Sequence, residues 1–149
     1  METIHPIIIH FPIVFYIIYF VLDAAGVLTG KESMTKPALA FLFLAILFSL
    51  AAVLTGNIEA QKINEVSIQN SGLQKAINNH ELFSSLFVWL CASLFFYRFY
   101  TIKKNKNLLY NKLIILFFSI IGFVLIVTTA YYGGQLVYEF GVGTKFFGG

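Results

Sequence analysis

Three histidines, His5, His10 and His80, are the residues of this chain best suited to chemistry, and two of them stand within "IHPIIIHFPIV" (residues 4–14), at the mouth of a long apolar run. Ionisable groups inside such runs are costly in a membrane and mark function by default. A neutral imidazole is a good ligand for iron, zinc or copper. His5 and His10 are separated by about 500° of helical rotation, so they do not share a face and are not a chelating pair. The remaining imidazole, His80, lies in "NHE". "HE" at His80 and Glu81 is only a dipeptide, and no H-E-x-x-H spacing occurs. Cys91 is the sole cysteine. It rules out an internal disulfide, a C-x-x-C redox pair and covalent C-x-x-C-H haem attachment, and reads as a small packing residue.

The elements that must position these histidines follow from composition. The chain has 149 residues, is 58% hydrophobic and only 11% charged, with a mean hydropathy of +0.81, outside the balance of a soluble domain. About 20 apolar residues cross about 30 Å of hydrocarbon as a helix. Four runs qualify, at about 7–29, 37–55, 80–100 and 109–132. An all-α, four-span, up-down-up-down bundle follows, forming a single domain. The polar stretch 57–79 reads as an outer-face connection, a loop or an interfacial helix, and 133–149 as an outer-face C-terminal tail. No cleavable signal peptide is evident, because the N-terminus lacks a basic stretch and the first apolar run is too long.

Lys and Arg set the orientation. Lys31, Lys36, Arg98, Lys103, Lys104, Lys106 and Lys112 fall on one side, while Lys62, Lys75 and Lys145 fall on the other. The bias puts both termini outside, on the periplasmic side of a bacterial inner membrane. The basic residues are topology signals, not a nucleic-acid surface.

On that topology all three histidines belong to the outer leaflet. Spans one and three are diagonal in a cyclic four-helix bundle, so His10 and His80 can point at the axis from opposite sides, as a planar, axially ligated cofactor requires. The expected metal ligands are therefore His10 and His80, holding one haem b, with His5 near a propionate. The aromatic content, 17 Phe and 8 Tyr, suits a macrocycle. The function this implies is electron transfer between a membrane donor such as a quinone and an outer acceptor such as a c-type cytochrome. The alternative is an assembly or interaction subunit of a larger membrane complex, binding Zn or Cu through its histidines or no metal at all. No nucleophile–base–acid set points to a stand-alone enzyme.

Pro6 suits the first position of a helix. Pro12 either kinks a helix begun at Pro6 or marks a helix starting only near Phe11, with His10 in an entry segment. Gly133 and Gly134 allow a close approach or a turn as span four ends, and Tyr138 with the tail forms a lid or an interfacial belt. Asp23, near the opposite face, is expected to pair with Lys31 or Lys36.

"HPIIIHFPI" (5–13), "TGNIEA" (55–60), "NHE" (79–81) and "GGQLVYEFGVG" (133–143) together resemble the bacterial membrane-domain family catalogued as domain of unknown function 2231. The resemblance covers almost the whole chain. It implies four spans and points to His5, Pro6, His10, Pro12, His80, Gly133, Gly134, Tyr138 and Gly141. Many relatives carry His before the final "GVG", where this chain has Phe140, so the resemblance supplies no ligand from the tail.

Overall fold

The computed structural model describes residues 5–104 and 108–144, with residues 62–69 described by their backbone alone. Lys106 and the end of the tail, 145–149, lie outside the described residues. The described chain is helical, without strands: α1 (His5–Ile8), α2 (His10–Thr29), a 3₁₀ turn (Glu32–Met34), α3 (Thr35–Gln69), α4 (Ser71–Lys103) and α5 (Leu109–Tyr138). The helices from α2 on are long and apolar enough to cross a membrane, α1 leading into the first of these four spans.

Pro12 explains the break between α1 and α2. Without an N–H it cannot bond the Ile8 carbonyl, and its ring crowds that carbonyl. Helix therefore lapses at Ile9 for one residue, with Ile9 N–H bonded back to the His5 carbonyl at 3.1 Å. At the far end α2 stops at Gly30, whose φ of 69° is left-handed and suits glycine.

The helices follow one another around the bundle. α3 packs on α2 and α4, α5 packs on α4 and α2, and among the described residues neither diagonal pair comes backbone to backbone. The buried positions repeat at alternating intervals of three and four: Pro12, Tyr16, Tyr19 and Asp23 on α2; Ala38, Leu42, Ala45 and Ser49 on α3; Phe87, Cys91, Leu94 and Arg98 on α4; Ile115, Ser119, Gly122 and Ile126 on α5. That mean period of about 3.5 is the seam of a left-handed bundle. Small and hydroxyl-bearing residues recur along it, which lets the backbones approach, while Val21, Trp89, Phe117 and Val124 face outward.

The stretch 57–79, expected as an outer-face connection, is helical except at Asn70. α3 has 35 residues, about 52 Å of helix against about 30 Å of hydrocarbon, so it runs well past its span. Asn70 turns the chain and caps α4, its side chain accepting from Gly72 N–H at 3.0 Å and Leu73 N–H at 3.1 Å. The polar composition of this stretch reflects helix outside the hydrocarbon rather than irregular chain.

Candidate functional site

His5 and His80 both lie toward the end of the bundle that carries the described N-terminus, each against a different helix. His5, at the start of α1, lies against α3: its Nδ1 is 2.9 Å from the Thr55 hydroxyl oxygen, and its ring packs over Gly56, where a Cβ would stand 3.0 Å from Cε1. His80, on α4, lies against α5: its Nδ1 is 3.0 Å from the Thr129 carbonyl, and a Cβ on Gly133 would stand 3.2 Å from its Cε1. Each imidazole thus rests on a glycine of the next helix, a seat that an alanine methyl would crowd.

The hydrogen-bond partners assign the tautomers. A carbonyl only accepts, so His80 Nδ1 carries the proton. Thr55 Oγ spends its own hydrogen on the Ala51 or Ala52 carbonyl, at 3.0 and 3.1 Å, so it accepts from His5 Nδ1–H. In both neutral rings the lone pair is left on Nε2. This is the state in which histidine binds a metal, its other nitrogen held by a hydrogen bond that fixes the ring.

His10 stands elsewhere. It opens α2 beyond the Ile9 break, and its side chain is exposed, whereas His5 and His80 are both half-buried. The expected diagonal relation between spans one and three is present, and of span one's two histidines His5 is the half-buried one and His10 the exposed one. Of the other expected residues, Gly133 seats His80. Gly134 is half-buried, with the Tyr138 ring as its one close neighbour. Tyr138 is 91% exposed and outside the pair. Thr55, Gly56 and Thr129 join the site. Thr55 and Gly56 lie in the "TGNIEA" motif, and Thr129 stands one helical turn before Gly133, where a same-face rule finds it.

The tail folds back over this end. Gly141, with φ 69°, returns its N–H to the Val137 carbonyl at 3.1 Å, and Val142 N–H reaches the Leu136 carbonyl at 2.8 Å. The reversal brings the Phe140 ring over Gly72 in the first turn of α4. Phe140, where the relatives' His is expected, is here a packing residue.

A second polar group occupies the interior toward the opposite end. Asp23 forms an ion pair with Arg98 across the α2–α4 diagonal, both side chains buried. This corrects the expectation of a Lys31 or Lys36 partner: Asp23 faces the seam, not the interface, and Arg98 is the cation on the seam of α4. Tyr19 donates to Ser119 Oγ at 2.6 Å, whose own hydrogen goes to the Ile115 carbonyl at 2.8 Å. Tyr16 donates to the Ser119 carbonyl at 2.8 Å. Gly122 makes room for Tyr16, since a Cβ there would overlap the phenol oxygen.

A family model described as a predicted membrane protein, DUF2231, matches residues 1–146. The chain belongs to the DUF2231 family. Comparison with curated proteins finds no match, and comparison with solved structures finds none either. Among the described residues no group of three or more His, Cys, Asp or Glu converges as a metal cage.

Proposed function

We propose that this DUF2231 domain is a membrane b-type cytochrome that holds one haem through His5 and His80 near the periplasmic face. In this reading it transfers electrons between a membrane donor such as a quinol and an outer-face acceptor such as a c-type cytochrome, as a redox subunit rather than a stand-alone enzyme. The observation that carries it is the matched state of the two imidazoles. They come from spans one and three, and each has Nδ1 within hydrogen-bond distance of a threonine.

The size of the ligand set favours haem over zinc. A structural zinc ion takes about four protein ligands, and a catalytic one about three. A porphyrin brings its own four nitrogens and asks the protein for two axial bases. His5 and His80 would hold the haem, which would supply one-electron chemistry. The chain's residues do the rest: Thr55 and the Thr129 carbonyl orient the two imidazoles through Nδ1, and Gly56 and Gly133 seat the rings. The periplasmic side follows from the Lys and Arg count.

The test is an absorption spectrum of protein purified after expression with ample haem. A Soret band and a pyridine haemochrome signal at one haem per chain are expected, lost in His5→Ala and in His80→Ala and kept in His10→Ala. A haem-free protein overturns the proposal. A haem lost in His10→Ala and kept in His5→Ala moves the axial ligand back to His10.

A further inference from the structure

Beside the histidine pair, a cavity of about 300 Å³ opens between α3 and α4. Asn57 and Gln61 line it from α3, and Gln74, Asn78 and Glu81 from α4, with Ile77 at its floor. Asn57 follows the glycine that seats His5, and Glu81 follows His80. The long apolar run of α3 ends near Thr55 and that of α4 begins at Leu82, so the cavity lies where hydrocarbon gives way to lipid headgroups.

Its chemistry is selective. Amide side chains accept and donate without preference for sign, but Glu81 adds a negative charge, and among the described residues neither Lys nor Arg lines the cavity. A ligand with a positive, hydrogen-donating head is favoured, because charge-assisted hydrogen bonds are the strong ones. Gln74 Nε2–H donates to Asn78 Oδ1 at 2.8 Å, which fixes the α4 rim. On the hydrocarbon side of the same faces, Leu54 precedes Asn57 by three residues and Leu82 follows Asn78 by four, while Ile58 stands level with the lining, three residues before Gln61, so each is one turn from a lining residue. All three are more than half exposed. A polar cup with an apolar approach is the shape of a site for an amphiphile.

We propose that this cavity binds the protonated primary amine of an aminophospholipid, the ammonium donating to Glu81 and the amide carbonyls while the acyl chains run along Leu54, Ile58 and Leu82. The proposal is independent of the haem reading, and its failure leaves that reading untouched.

The experiment reconstitutes the full chain in nanodiscs containing equal amounts of phosphatidylethanolamine and phosphatidylcholine. The two heads have equal charge, and only the first has ammonium N–H donors. After extraction, the lipids retained on the protein are quantified by mass spectrometry. Phosphatidylethanolamine should be enriched about tenfold, the equivalent of one charge-assisted hydrogen bond. The preference should vanish in Glu81→Gln and weaken in Asn78→Leu, with unchanged helicity by circular dichroism. Equal retention of the two lipids, or an undiminished preference in Glu81→Gln, overturns the proposal. So does competition by soluble glycerophosphoethanolamine at concentrations no higher than the lipid's, because the apolar rim would then contribute nothing.

Discussion

At one end of the bundle, His5 and His80 each rest on a glycine and bond a threonine of the neighbouring helix; toward the other, Asp23 and Arg98 reach across the diagonal and pair directly. Both pairs draw on spans one and three, but the histidines tie those spans to their neighbours, two and four, whereas the ion pair ties them to each other. The histidines are neutral, individually satisfied, and keep a lone pair each, so they do not depend on each other. The ion pair is mutually dependent, since either charge left alone in the seam has no solvent to turn to. The first arrangement suits a site that must accept a ligand, the second a clamp that must not open.

Breaking the clamp should have the largest effect. Arg98→Ala is expected to lower stability by about 4 kcal/mol, because it strands a buried carboxylate, whereas Asp23→Leu combined with Arg98→Leu should recover much of the loss. Unfolding in detergent with increasing denaturing surfactant measures both. A parallel His80→Ala that proves as destabilising as Arg98→Ala would erase the distinction between the two ends.

Next comes Gly122→Ala, whose methyl overlaps the Tyr16 phenol and should cost about 2 kcal/mol by overpacking. The same unfolding assay should show partial recovery when Tyr16→Phe removes the hydroxyl. At the histidine end, Gly133→Ala and Gly56→Ala demand only a few tenths of an ångström from an imidazole. They should cost about 1 kcal/mol but shift the haem spectrum, the reverse of the Gly122→Ala pattern. The smallest effect is expected for Thr55→Val, which deletes the acceptor for His5 Nδ1–H. A loss of about 0.5–1 kcal/mol should accompany weaker haem retention on a size-exclusion column.

The four helices were legible because a span must be long and apolar, and the diagonal relation of spans one and three followed from short connections. Which residue of a span faces inward was not legible for most positions. In lipid the outer face is as apolar as the seam, so hydrophobic periodicity, the usual guide to an inner face, is weak. His5 and His10 show the difficulty: their separation says that they diverge, but not which of them is half-buried and which exposed. Arg98 was hidden differently. Standing next to the basic stretch that begins at Lys103, it reads as a topology charge, although it sits on the buried register of α4. The polar segment after Thr55 misled in the opposite direction, since a helix outside hydrocarbon needs no apolar signature.

The Asp23–Arg98 pair also has a consequence for biogenesis. Asp23 enters the membrane with the first span, two spans before Arg98 is synthesised, and an unpaired Asp within a span is costly, up to about 2.5–3.5 kcal/mol at a helix centre and less toward its ends. The nascent first span is therefore metastable until the third arrives, and the insertion machinery must retain it that long. A chain truncated after the second span should be released late and degraded early, which makes this one ion pair a checkpoint on completion of the bundle.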